Sequence, residues 1–181
     1  MTSNGSRLIS IDGVNANALK KAARDLAAAN RRHHAGISFW GASGIFDELT
    51  VAESEAGTPS PRTLLLLYAA DLAFRLRWEI RPALDEGRMV IAAPYVGTAV
   101  ALGQAAGLDD KWLADLFHFA PPASEHHIID PAPARHVADR QGFVEFAWHR
   151  LDKRLGGLTR LQLIDRTRRH LRAIARRSSS G

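Results

Sequence analysis

Short continuous apolar runs alternate along this chain with longer stretches in which apolar residues recur every three or four positions. Residues 8–11 (LISI) predict a strand, followed by a Gly-containing turn and a helix over about 17–30 with Leu19, Ala22, Ala23 and Leu26 on one face. AGISFWG (35–41) reads as a second buried strand, and GASGIFDELTVAESEAGTPSP (41–61) as a short helix entering a Gly/Pro/Ser loop. PRTLLLLYAADLAFRLRWEIRPALDEG (61–87) predicts one long helix, apolar nearly all round in its first half and therefore central. RMVIAAPYVG supplies a third strand ended by Pro94; helices follow at about 96–106 and 109–119, then a strand at HHIID (126–130) and a helical C-terminal third. Strands alternating with helices at this spacing predict right-handed crossovers and an α/β fold, a parallel sheet with helices on both faces.

Length and composition narrow the class. At 181 residues the chain fits one domain, with about 177–181 (RRSSSG and its neighbours) expected to be a disordered tail. No apolar run approaches the ~20 residues of a membrane span, and MTSNGS lacks the regions of a secretory signal, so a cytoplasmic protein is expected. The absence of cysteine excludes disulfides, thiolate catalysis and Cys-ligated zinc. The net charge of +5 is unevenly placed: residues 150–181 hold ten Lys/Arg against Asp152 and Asp165, a balance of +8, and the rest of the chain sums to −3. Leu158, Leu161, Ile164, Leu171 and Ile174 recur at helical spacing in that basic tail without an aromatic stacking platform, which argues for a packed terminal helix and against nucleic acid as partner.

The middle of the chain is similar to the bacterial thymidylate kinases. The similarity rests on LLLLYAADLAFRLRWEIRPALDEGRMVIAAPYVGTAVALGQAAGLDDKWLADLFHFAPP, in which Ile80-Arg81-Pro82-Ala83-Leu84, Gly87, Tyr95, Gln104 and GLDDKWL match the order and spacing of several family segments. IIDPAPAR, 128–135, resembles the family's LDVDP…R strand and helix start. The resemblance implies a P-loop-kinase-like three-layer fold, and places LISIDGVNANALKK where the family has its phosphate-binding loop.

That register also shows what differs. A working P-loop needs a second glycine so that amides close around phosphate, a lysine for the transferred charge and a hydroxyl for Mg²⁺. Gly13 stands at the first glycine, but Ala18, Leu19 and Lys20 occupy the glycine, lysine and hydroxyl positions. The resemblance further puts Ala93 and Pro94 in place of the Asp-Arg before Tyr95, and Leu72 in place of an acceptor-side arginine. HVADRQGFVEFA, 136–147, stands for an arginine-rich lid with Arg140 alone. On this reading phosphoryl transfer is lost, no cofactor is expected, and binding of ATP and Mg²⁺ is weakened.

With arginines replaced by Phe39, Trp40 and Leu72, the former acceptor cleft is expected to be a mainly apolar small-molecule pocket. Asp12 and Tyr95 are its candidate catalytic residues; Asn15, Asn17, Phe39, Trp40, Tyr68, Leu72 and Gln104 are candidate ligand contacts. Each has a structural alternative: Tyr68 and Trp40 as core aromatics, Asp12 and Asn17 as caps of the first helix. Asp47 and Glu48 favour a solvated helix N-terminus over acid-base chemistry. The pairs His33-His34 and His126-His127 lack the i, i+4 spacing of metal ligands, and His118, His136, His149 and His170 read as structural, so no metal site is expected. Three readings follow: a repurposed small-molecule protein, a pseudoenzyme acting on a partner, and a surviving nucleotide kinase. A homodimer through the LLLLYAADLAFRL helix is expected from the resemblance.

Overall fold

The computed structural model describes residues 6–51, 58–129, 142–151 and 157–178. Four strands, β1 (Arg7–Gly13), β2 (Gly36–Phe39), β3 (Met89–Ala93) and β4 (Glu125–Ile129), form one parallel sheet in the order β2-β3-β1-β4. The period-two alternation of β1 sorts the core. Ile9 and Ile11 pack with Met89, Ile91 and Ala93 under α1 (Ala16–Ala29), whereas Leu8 faces the opposite layer with Val90 and Ala92. Helices therefore cover both faces, as the alternating pattern predicts.

Helix boundaries follow local chemistry. Asn15, not Asn17, caps α1, its Oδ1 accepting from the Ala18 amide at 2.9 Å. After α2 (Ile45–Val51), α3 (Pro61–Arg75) starts with Pro at its first position and is capped by Ser60. The single helix expected over 61–87 is three pieces: α3, a π turn (Leu76–Ile80) and α4 (Arg81–Asp85). Pro82 explains the break, because it has no amide to donate and its ring clashes with the carbonyl one turn back. Nor is this helix wholly central: Leu66, Phe74 and Trp78 lie exposed on it, Trp78 at 65%.

The second half is helical around β4: α5 (Val96–Ala105), α6 (Asp110–Phe117), α7 (Phe143–Leu151) and α8 (Arg160–Ser178). The basic C-terminal segment is a packed helix against α5. Its inner row is Leu163, Thr167 and Leu171 with Ile174 beside them; Leu161, expected inside, is exposed, and so are Arg166, Arg169, Arg172, Arg176 and Arg177. The helix continues through Ser178, past the expected start of a disordered tail, whose last residues lie outside the described ones.

Candidate functional site

At the C-terminal end of β1, Asp12 is buried and engaged through one carboxylate oxygen. Its Oδ1 accepts from the Tyr95 amide (3.0 Å), the Thr98 amide (2.8 Å) and the Thr98 hydroxyl (2.8 Å), and the Gly13 amide donates to the same hydroxyl oxygen at 3.0 Å. Burial pushes the Asp12 carboxyl above its ordinary value, against the opposing pull of these hydrogen bonds. A side chain at position 97 would stand 2.7 Å from Asp12 Oδ2, so only glycine lets the start of α5 come this close. Asp12 thus ties β1 to α5 rather than capping α1. Its Oδ1 is spent on these donors.

Tyr95 and Tyr68 are likewise held by backbone. The Tyr95 hydroxyl donates to the Pro121 carbonyl at 2.7 Å and burial pushes it up to about 12; the Tyr68 hydroxyl donates to the carbonyls of Tyr95 (2.7 Å) and Pro94 (3.2 Å), and burial raises it further. Both are neutral donors near pH 7.

Sequence reasoning missed the polar row on α3. Arg75, with no exposed surface, donates from Nε to Ser38 Oγ (2.9 Å), from Nη2 to the Ser38 carbonyl (2.8 Å), and from Nη1 and Nη2 to the Pro94 carbonyl (3.1 Å each). Ser38 Oγ in turn donates to Glu79 Oε2 (2.5 Å), and Asp71 accepts from the amides of Gly41 and Ser43 (3.0 Å each) and from the Ser43 hydroxyl (2.8 Å). The signal was there: Asp71, Arg75 and Glu79 recur every four residues and so lie along one line of the helix.

Between these networks the expected acceptor pocket is filled. Trp40 meets Phe46, Phe143 and Phe146 edge-on at centroid distances of 4.7, 5.5 and 5.7 Å, and Tyr68 lies 4.4 Å from Phe143. Tyr68 and Leu72 have no exposed surface and belong to the core. Phe39 packs on the α1 side. What remains between Gly13, Lys20, Trp40, Pro94 and Phe143 is a gap of about 10 Å³, at the lower limit for one water. The apolar side chains read as a pocket wall instead satisfy one another, through rings supplied by α7 at the far end of the chain. Asn17 is exposed beyond the gap, and Gln104 donates to Asp110 (2.8 Å) at the far end of α5. Neither sits at a common site with Tyr95.

The loop after β1 is a tight entry into α1. Leu19 is buried, 5% exposed, and its Cδ2 would touch a side chain on Gly13 at 3.2 Å; such a side chain would also stand 2.5 Å from the Ile129 carbonyl. Gly13 is required here by the approach of β4. Lys20 borders the small gap, half-buried. Asp47 and Glu48 are exposed in the first turn of α2, and His33, His34, His118 and His149 are exposed; His136 and Arg140 lie outside the described residues. Among the described residues no cluster of His, Asp or Glu could hold a metal ion, and no helix is long and apolar enough to cross a membrane.

A larger space opens on the other side of Tyr95. About 740 Å³ lies between the outer face of β1 and β4, α5, the 117–124 segment and α8, bordered by Asp12, Tyr95, Ser10 and His126. It brings together the two candidate catalytic residues.

A parallel sheet in this order, with a loop leading from β1 into α1, defines a P-loop-kinase-like α/β protein. The fold matches a thymidylate kinase of Ehrlichia chaffeensis with a TM-score of 0.67 at 15% identity, covering 97% of this chain and 89% of that one. In sequence, 81 residues are 40% identical to a probable thymidylate kinase of Thermococcus gammatolerans, and 106 residues are 41% identical to a thymidylate kinase of Synechococcus sp. (strain CC9605). These matches span 44% and 54% of this chain but only 35% and 51% of those relatives. No protein-family model matches the chain. Part of the sequence and nearly the whole fold are thus similar to thymidylate kinases.

This corrects one expectation from the sequence. Thymidylate kinases use ATP and Mg²⁺, so the homology points to nucleotide and metal rather than to the absence of a cofactor. At the head of α1, Asn15 accepts from the Ala18 amide, Leu19 is buried, and the gap that Leu19 and Lys20 border is about 10 Å³.

Proposed function

We propose that this thymidylate-kinase-like protein does not transfer phosphate, and acts by binding rather than by turnover. The observation that carries this reading is Leu19, buried in the core at the position where the resemblance puts the phosphate-binding lysine. Phosphoryl transfer depends almost wholly on positioned charge, and loss of a single such charge lowers rates by ~10³ or more. Nucleotide and Mg²⁺ remain what the homology points to; the proposal concerns the transfer step alone.

The filled aromatic site favours a pseudoenzyme working through partners over a repurposed acceptor cleft. Leu66, Phe74 and Trp78, exposed on one side of α3 and the π turn, support a homodimer through that helix.

The test is ADP release from Mg-ATP with thymidylate as acceptor, alongside calorimetry of Mg-ATP alone. The expected result is no thymidylate-dependent release, whatever heat of nucleotide binding is found. Any thymidylate-dependent release that scales with protein overturns the reading; an active family enzyme would turn over at about 1–100 s⁻¹.

A further inference from the structure

We infer that the cavity between β1, β4, α5 and α8 is a binding site for a neutral, mainly apolar organic molecule that carries a hydrogen-bonding carbonyl or hydroxyl group. It does not depend on the loss of phosphoryl transfer.

Size comes first. A space of about 740 Å³ among the described residues falls within the ~300–1,000 Å³ range of small-molecule pockets, whereas the gap at the loop after β1 does not. The walls come next. Val96 and Val100 of α5, Phe117 at the end of α6, and Leu171 and Ile174 of α8 make them chiefly apolar. The polar groups sit on the floor. Ser10 and His126 are direct neighbours on β1 and β4, and Ser10 Oγ lies 2.8 Å from His126 Nδ1. Ser10 is 1% exposed, so its hydroxyl is fixed by the sheet and in turn fixes one nitrogen of the ring. The exposed His126 ring is left with its Nε2 edge to meet a ligand.

Charge selects the ligand class. The carboxylates bordering the cavity are Asp12 on its floor and Glu125 at its edge, the latter paired with His127 at 2.7 Å. Among the described residues no Lys or Arg borders it. An anionic ligand would meet carboxylates without a cation, and Oδ1 of Asp12 is already taken by the Tyr95 and Thr98 amides and the Thr98 hydroxyl. A neutral molecule with one acceptor or donor for the imidazole fits the wall and the floor together.

Nile red, neutral, apolar and carrying a carbonyl, is a suitable probe. The expected result is saturable fluorescence enhancement with the full chain. Filling the cavity from the half-buried helix positions Ala175→Phe or Val100→Phe should weaken it about tenfold or more. His126→Ala should weaken it several-fold, and dye should shift the His126 ring nitrogens in NMR spectra. Trp78→Glu, which alters the exposed α3 stripe, should leave binding unchanged. Equal melting points confirm that each variant is folded. Two filling variants are used so that one failing to fold leaves the other to decide. No saturable binding, binding unaffected by the folded filling variant, or binding abolished by Trp78→Glu alone overturns the inference.

Discussion

Thr98 gives Asp12 two hydrogen bonds, one from its amide and one from its hydroxyl, each 2.8 Å long, and so fastens the first turn of α5 to the end of β1. At this strand end the carboxylate works as a structural acceptor for a helix that starts on another strand.

That placement sets a pH dependence. Burial holds the folded-state pKa of Asp12 above its ordinary value of 3.8, so above that value the native state binds its proton more tightly than the unfolded chain does. Its ionisation therefore subtracts stability as pH rises from about 4 through the folded pKa. Chemical denaturation across pH should show this slope in the native protein and its loss in Asp12→Asn. Asp12→Ala should cost about 2–4 kcal/mol by stranding the Tyr95 and Thr98 amides. A slope of the opposite sign would show that an unseen cation stabilises the carboxylate.

Arg75 is the second lock, joining the ends of β2 and β3 from beneath. Arg75→Met should destabilise the protein by about 3–5 kcal/mol, because it strands the Ser38 and Pro94 carbonyls in a dry interior. Arg75→Lys should recover less than half of that, since one ammonium cannot reproduce the fork. Urea unfolding midpoints measure both; a cost below about 1 kcal/mol for the methionine variant would mean that water reaches the site.

The exposed stripe on α3 carries the prediction for assembly. Trp78→Glu should shift the sedimentation coefficient from dimer to monomer without lowering helix content. A native protein that sediments as a monomer, or a variant that stays dimeric, removes the proposed interface.

The parallel sheet was legible because each strand is a short apolar run between helical stretches, and β3 in particular (Met89–Ala93) is wholly buried. The filled site was not legible. Trp40 and Phe46 meet Phe143 and Phe146 only after the chain has crossed the sheet repeatedly, and local spacing holds no record of so distant a contact. Similarly, Asn15 and Asn17 are equally good caps by residue type; helix entry one residue before Asn17 decides between them, and that follows from the close approach of Gly13 to β4. Asp71 and Arg75 could have been found, since charged residues on the apolar face of a helix need partners when buried.

The π turn has a consequence for the outside of the molecule. In a regular helix, residues four apart drift steadily around the axis, and a row from Leu66 through Ala70 and Phe74 to Trp78 would wind away from any flat partner. A wider turn spreads its rotation over more residues, so each advances the side chain by a smaller angle. The turn over Leu76–Ile80 therefore brings Trp78 back toward the line of Leu66 and Phe74. The proline that interrupts the hydrogen-bond ladder also straightens the apolar seam that ends at Trp78, one turn before it.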